Sequence, residues 1–154
     1  MPKLYVLVGV PGSGKSTWVN GQDWSKDCAI ISTDHYVEAY ARSVGKTYSE
    51  VFEEFMPKAV DLMVNDVIVA RDNKQDIIWD QTSTTVSSRR KKFAMLPDYY
   101  AIAVVFKTPE AEELSRRLKS RPGKVIPQDV VQGMINNFDH PTEDEGFKEI
   151  WYAS

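Results

Sequence analysis

The stretch Leu4-Tyr5-Val6-Leu7-Val8-Gly9-Val10-Pro11-Gly12-Ser13-Gly14-Lys15-Ser16-Thr17 decides the fold. Its five leading apolar residues read as a strand buried on both faces, and the glycine-rich turn after them opens a helix at Lys15. Gly9-x-x-x-x-Gly14-Lys15-Ser16 is a phosphate-loop pattern in spacing and in context. The glycines let backbone N–H groups curl around a phosphate, and the helix that follows turns its positive end toward it. Lys15 adds a point charge for the β- and γ-phosphates. Ser16 offers a hydroxyl to Mg²⁺, which prefers hard oxygen ligands. Gly9, Pro11, Gly12, Ser13, Gly14, Lys15, Ser16 and Thr17 are therefore the expected contacts of ATP.

Outward from this stretch, further apolar runs fall at 29–32, 76–79, 100–106 and 149–152, with helical patterns between them. One helix starts at Lys15, a second near Asp34 with Thr33 as its cap, and a long one covers 49–71. Val51, Phe52, Phe55, Ala59, Leu62, Met63 and Val67 give the long one its apolar stripe. Others span 87–95 and 109–119, the latter with Pro109 in its first turn, and a last one follows Pro127 with Val130, Val131, Met134 and Ile135. This alternation predicts an α/β three-layer sandwich of the P-loop NTPase type with a mostly parallel five-stranded sheet, like the nucleoside monophosphate kinases. Ligand sites in such sheets lie at the carboxyl ends of the strands.

A chain of 154 residues fits one domain, 1–154. Its net charge of −3 excludes a polycation that coats nucleic acid along its whole surface, so any polyanion contact is local. Cys28, the single cysteine, rules out an intramolecular disulfide and a cysteine metal cluster, and reads as a small buried hydrophobe. No apolar run approaches the ~20 residues of a spanning helix, and the first apolar stretch runs into the glycine loop rather than into a cleavage site. A cytoplasmic protein is expected.

A phosphate loop alone does not separate kinases from motors or switches. Asp34 closes the run Ile30-Ile31-Ser32-Thr33, and Asp80 closes Ile77-Ile78-Trp79, so both carboxylates open onto the phosphate crevice. Transfer to an alcohol needs a carboxylate that takes the acceptor's proton, and Asp34 is assigned that role. Asp80 is read as orienting a water on Mg²⁺ or as holding the acceptor site together. The bland alternatives are a helix cap for Asp34 and a loop carboxylate for Asp80. The segment from Glu112 to Lys124 begins acidic and turns basic through Arg116, Arg117, Lys119 and Arg121. Cations at a helix end simply favour its dipole. Here they are read instead as a lid, about 112–126, whose arginines close over the phosphates, with Arg121-Pro122-Gly123 as a hinge.

The ordered set Gly9 to Trp18, Ser32-Thr33-Asp34-His35-Tyr36, Asp80-x-Thr82 and Arg117-x-x-x-Arg121-x-x-Lys124-x-x-Pro127 resembles the 5′-kinase domain of phage polynucleotide kinase. The tail from Met134 through Phe138, Pro141 and Phe147 is similar to the ending of related P-loop and bacterial end-healing kinases. The resemblance spans nearly the whole chain. It implies that Lys15 and Ser16 bind ATP and Mg²⁺, that Asp34 is the base for a 5′-hydroxyl, and that Asp80 and Thr82 belong to the acceptor pocket. It also makes Arg117 and Arg121 lid arginines at the nucleotide. The acceptor it implies is a 5′-OH end of DNA or RNA.

The family usually carries an acceptor-gripping arginine three residues after the base; here that position is Val37, with Arg42 further along. The phage enzyme continues into a phosphatase domain that this chain lacks, so removal of 3′-phosphates is not expected. The run Arg89-Arg90-Lys91-Lys92 is ordinarily a solvated helix face. In this family context Arg89 is expected to line the acceptor channel. Tyr36, His35 and Tyr40 are read as stacking on a base or as packing residues. Alternatives to an end-healing kinase are a phage kinase of a 5-hydroxymethyl pyrimidine in DNA, a small-molecule kinase and a nucleotide-binding switch. A GTPase is disfavoured because no Asn-Lys-x-Asp stretch is present.

Overall fold

The computed structural model describes residues 1–153. Five strands form one parallel sheet: β1 (Lys3–Val8), β2 (Ala29–Ile31), β3 (Ile77–Trp79), β4 (Tyr100–Phe106) and β5 (Glu149–Ala153), in the spatial order β2-β3-β1-β4-β5. Among the described residues six α-helices accompany them: α1 (Lys15–Asn20), α2 (Asp34–Ser43), α3 (Tyr48–Asp72), α4 (Val86–Met95), α5 (Ala111–Lys119) and α6 (Gln128–Asn136). Strand β1 is central and pairs with β4 from Lys3–Tyr100 to Val8–Val105. The expected α/β architecture is present, and the sheet is wholly parallel.

Strand alternation sends successive side chains to opposite faces. Leu4, Val6 and Val8 join Ile77, Trp79 and Ala103 against Met63, Val67 and Ala70 of α3. Tyr5 and Leu7 join Ile78, Ile102 and Val104 against Val19 of α1, with Trp18, Trp24 and Trp151 around them. Cys28 is half-buried against this second cluster rather than fully inside.

Helix α3 does two jobs along its length. Its C-terminal half covers the sheet, while Val51 and Ala59 in its N-terminal half pack on Val37 and Ala41 of α2. Pro57, which has no N–H to donate, lies near that changeover. A capping box of Thr47 and Glu50 starts the helix at Tyr48, one residue before the expected 49. Phe52, counted in that stripe, is instead 39% exposed and lines the cleft described below, and Val130 of α6 is likewise exposed. Helix α2 begins at Asp34 as expected, but its cap differs, and so does the first turn of α5. The Thr33 side chain does not cap α2, because Ser32 Oγ accepts the Asp34 N–H at 3.1 Å instead. Pro109 precedes α5, which begins at Ala111 after Glu110.

Candidate active site

A large cleft of about 2330 Å³ runs along the carboxyl edge of the sheet, between the phosphate loop, the start of α2, the start of α3 and the segment after α5. The loop is fixed from below. Gly9 N–H donates to Thr82 O at 3.0 Å, tying the end of β1 to the loop after β3. A side chain at Gly9 would meet Ser13 Oγ at 2.5 Å and Phe106 Cβ at 2.9 Å, so only glycine fits there. Gly12 and Gly14 have φ of +84° and +101°, a region glycine enters without strain. Leu114 and Leu118 of α5 press on Gly12, and Val10 anchors the same apolar cluster.

Lys15 Nζ donates to Gly9 O and Val10 O, both at 2.9 Å. Burial brings its ammonium down to about 8; the Asp80 charge opposes that fall and Arg121 adds to it. Ser13 Oγ is buried with no hydrogen-bond partner among the described residues, a free polar atom within the phosphate loop. Ser16 and Thr17 are exposed at the cleft floor. Helix α1 is only six residues long, so the loop's own N–H groups, more than a helix dipole, make this an anion site. The donor set of Lys15, the loop N–H groups and the Ser16 hydroxyl fits a nucleotide polyphosphate with its Mg²⁺.

Asp34 and Asp80 lie side by side at the sheet edge, where Asp80 N–H donates to Ile31 O at 2.7 Å. Their environments differ. Asp34 Oδ1 accepts from the Tyr48 hydroxyl at 2.7 Å, and Oδ2 pairs with Lys124 Nζ at 2.9 Å. Burial alone would raise Asp34, but Lys124, Tyr48 and Lys15 together hold it below the usual carboxylate range. Asp80 is raised, by burial first and by the neighbouring Asp34 charge, with Lys15 pulling the other way. A pair of carboxylates pushed in opposite directions marks a division of labour.

Of the expected lid arginines, Arg117 bridges Glu113 at 2.8 Å and Gly12 O at 3.0 Å, so it clamps α5 to the phosphate loop. Arg121 lines the cleft and pairs with no carboxylate among the described residues. Arg116 points away from the cleft and shares Glu113. Thr82 lines the cleft beside Asp80 and contributes its carbonyl to the loop anchor.

Arg89 is a correction. It is fully buried, with Nε and Nη2 bidentate to Glu145 at 2.8 and 3.1 Å and Nη1 donating to Ser83 O at 2.9 Å. It therefore braces the loop after β3 from inside and does not line the cleft. Lys92 is also buried, 5.2 Å from the centroid of Trp79. Val37 lies in the core between α2 and α3, whereas Arg42, on the same face of α2 as Asp34 and Glu38, lines the cleft with Lys46. Tyr40 stacks on Phe55 at 4.2 Å and Tyr36 bonds Asp66, so both tyrosines are packing residues; His35 lines the cleft.

Tyr48 and Lys124 join the site with no role assigned to either from the sequence. The capping box at Thr47 was the available signal for the first. For the second there was none, since Lys124 reaches Asp34 across 90 residues. Across the whole cleft, seven cationic side chains, from Lys15 to Lys124, face seven carboxylates, from Asp34 to Glu113.

This fold and site define a P-loop protein with a kinase-type sheet. The chain belongs to the AAA domain family, whose model matches residues 4–141. Among curated proteins it is 26% identical to mouse heterogeneous nuclear ribonucleoprotein U-like protein 2, covering 98% of this chain and 21% of that protein; the human form is 25% identical. The chain thus spans about a fifth of the length of the curated relatives it matches. Among solved structures, one from Chloroflexus aurantiacus, whose kinase assignment is itself provisional, superposes with a TM-score of 0.71 at 15% identity over 99% of this chain and 84% of the other. A gluconokinase from Sinorhizobium meliloti gives 0.56 at 18%, covering 98% and 81%. The Pnkp1/Rnl/Hen1 complex gives 0.57 at 23%, covering 82% and 42%. At these identities the structures share the fold.

Proposed function

We propose that this protein is an ATP-dependent phosphotransferase that moves the γ-phosphate to an alcohol. The convergence of Lys15, Asp34 and Asp80 at one sheet edge, with Arg121 facing them across the cleft, carries the reading. The acceptor hydroxyl gives its proton to Asp34 as its oxygen attacks phosphorus, and the bond from phosphorus to the β–γ bridging oxygen breaks. Lys15, the loop N–H groups and Arg121 hold the phosphates and spread the developing charge. Ser16 would hold Mg²⁺ through its hydroxyl, and the ion would neutralise charge on the phosphate oxygens. Asp80 steadies the acceptor pocket or would orient groups around that ion.

The acceptor we favour is a hydroxyl on nucleic acid, a 5′-OH end first and a hydroxymethylated base second. The cleft exceeds the roughly 300–1,000 Å³ of ordinary small-ligand pockets, which leaves room for a chain beside the nucleotide. Exposed Phe52 offers a stacking face, and Arg42 and Lys46 offer phosphate contacts. The likeness to the Pnkp1-containing complex agrees with this reading. A small-molecule acceptor is the second reading, favoured by the even balance of seven cations and seven carboxylates, since a strand-binding groove carries an excess of positive charge.

Incubation with γ-labelled ATP, Mg²⁺ and three acceptor sets separates these readings. Label on 5′-OH oligonucleotides supports end phosphorylation; label on end-blocked 5-hydroxymethyluracil DNA supports base modification. Label only on nucleosides or sugars establishes the second reading. ATP binding without transfer to any acceptor overturns the kinase proposal.

A further inference from the structure

Asp34 is gripped from two elements outside its own helix. Tyr48, the first residue of α3, donates to Oδ1 at 2.7 Å, and Lys124, beyond α5, pairs with Oδ2 at 2.9 Å. The Lys124 ammonium lies 4.4 Å from the centroid of the Tyr48 ring, so cation, phenol and carboxylate close a triangle. Only 14% of the Lys124 side chain is exposed, unusually little for a lysine. The remaining charged surroundings are Glu38 on α2, 3.7 Å from Lys124, with Lys15, Asp80, His35 and Arg121 at greater range.

The backbone fastens this triangle. Ser49 N–H donates to Gly123 O at 3.0 Å and Val125 N–H donates to Ser49 Oγ at 2.7 Å, so the bonds flank Lys124 on one side and adjoin Tyr48 on the other. Gly123 needs its φ of +69°, and a side chain there would meet Thr47 Cβ at 2.8 Å. Lys124 follows Arg121 by three residues on the same segment. Seating that segment on the start of α3 therefore brings an arginine to the cleft and a lysine to the base together.

We infer that Tyr48 and Lys124 are positioning residues for Asp34, fixing its carboxylate and making its readiness depend on the 120–127 segment being seated. This rests on the phosphotransfer reading above. Each Asp34 oxygen gives one lone pair to its clamp and keeps another for the acceptor O–H. The nearby ammonium also keeps the carboxylate ionised, so that it can receive the proton.

The test compares Lys124→Met, Lys124→Arg, Tyr48→Phe and Asp34→Asn across pH, with ATP affinity read separately by titration calorimetry. Lys124→Met is expected to leave the ATP Kd within about threefold, to lower kcat roughly 10- to 100-fold and to move the acid limb of the kcat profile up by about one pH unit. Lys124→Arg restores most of the rate, and Tyr48→Phe shifts the limb in the same direction by less. An unmoved limb, or equal losses for Met and Arg, overturns the inference while leaving the kinase reading intact. If the wild type phosphorylates no acceptor, the kinase reading fails on its own. The clamp is then judged by carbon NMR titration of Asp34, whose pKa must rise in Lys124→Met; an unchanged value overturns it.

Discussion

The two basic runs of this chain look alike in sequence and end in opposite places. Arg89-Arg90-Lys91-Lys92 sends Arg89 and Lys92, three residues apart on α4, into the interior, and leaves Arg90 and Lys91 in solvent. The run from Arg116 to Lys124 puts Arg117, Arg121 and Lys124 at the cleft, with Arg117 also paired to a local carboxylate one turn away. The difference lies in where the counter-charge comes from. Arg89 meets Glu145 across 56 residues and is neutralised in a buried fork, so no charge is left for a ligand. Arg121 has no such partner among the described residues, so its charge faces the cleft. A cation's role follows from the position of its carboxylate, which a run of letters does not record.

That contrast can be broken at several points. Arg121→Ala is expected to have the largest effect, a loss of about 10³-fold or more in phosphate transfer, as for arginines that stabilise transferring phosphoryl groups. The fold should persist, so a cooperative melt beside a dead enzyme checks it. Arg89→Met is expected to do the reverse. It strands Glu145 beside an apolar group and should cost about 3–5 kcal/mol of stability by denaturant titration. Gly123→Ala should cost roughly 1–2 kcal/mol, from its φ and the clash with Thr47, and should lower kcat with it.

Lys92 gives a pH signature to the buried run. Burial lowers it to about 8, with Arg89 and Lys91 adding to the effect. Between about 8 and the ordinary lysine value near 10.4 the unfolded chain binds more protons than the folded one, so stability gained from this group rises with pH. The stability difference between wild type and Lys92→Met should therefore move in favour of the wild type as pH is raised through that window. Arg90→Ala and Lys91→Ala should do least, within about 0.5 kcal/mol in stability and without measurable change in ATP affinity.

The proposed acceptor side teaches the same lesson as the basic runs. Position 37 lies three residues beyond the proposed base, and its valine is sealed between α2 and α3. An arginine introduced there would be a buried charge rather than a restored contact. The cleft-facing positions of α2 are those at helical spacing from Asp34, and they bring Glu38 and Arg42 forward instead. Arg42 is thus better placed than its distance along the chain indicates.

The sequence by itself determined the donor half of this protein. A strand, a glycine turn and Lys15-Ser16 are contiguous, and the geometry they need is local: positive φ at Gly12 and Gly14, and apolar alternation through β1. The parallel sheet followed from the spacing of its apolar runs, because burial on both faces leaves that mark on each strand. Only the tertiary structure decided the fate of Arg89, the burial of Val37 and the grip of Tyr48 and Lys124 on Asp34. Those depend on contacts between residues 14 to 90 positions apart, or on which face of a helix meets a neighbour. Chain folding sets such contacts through packing, and no short motif carries them.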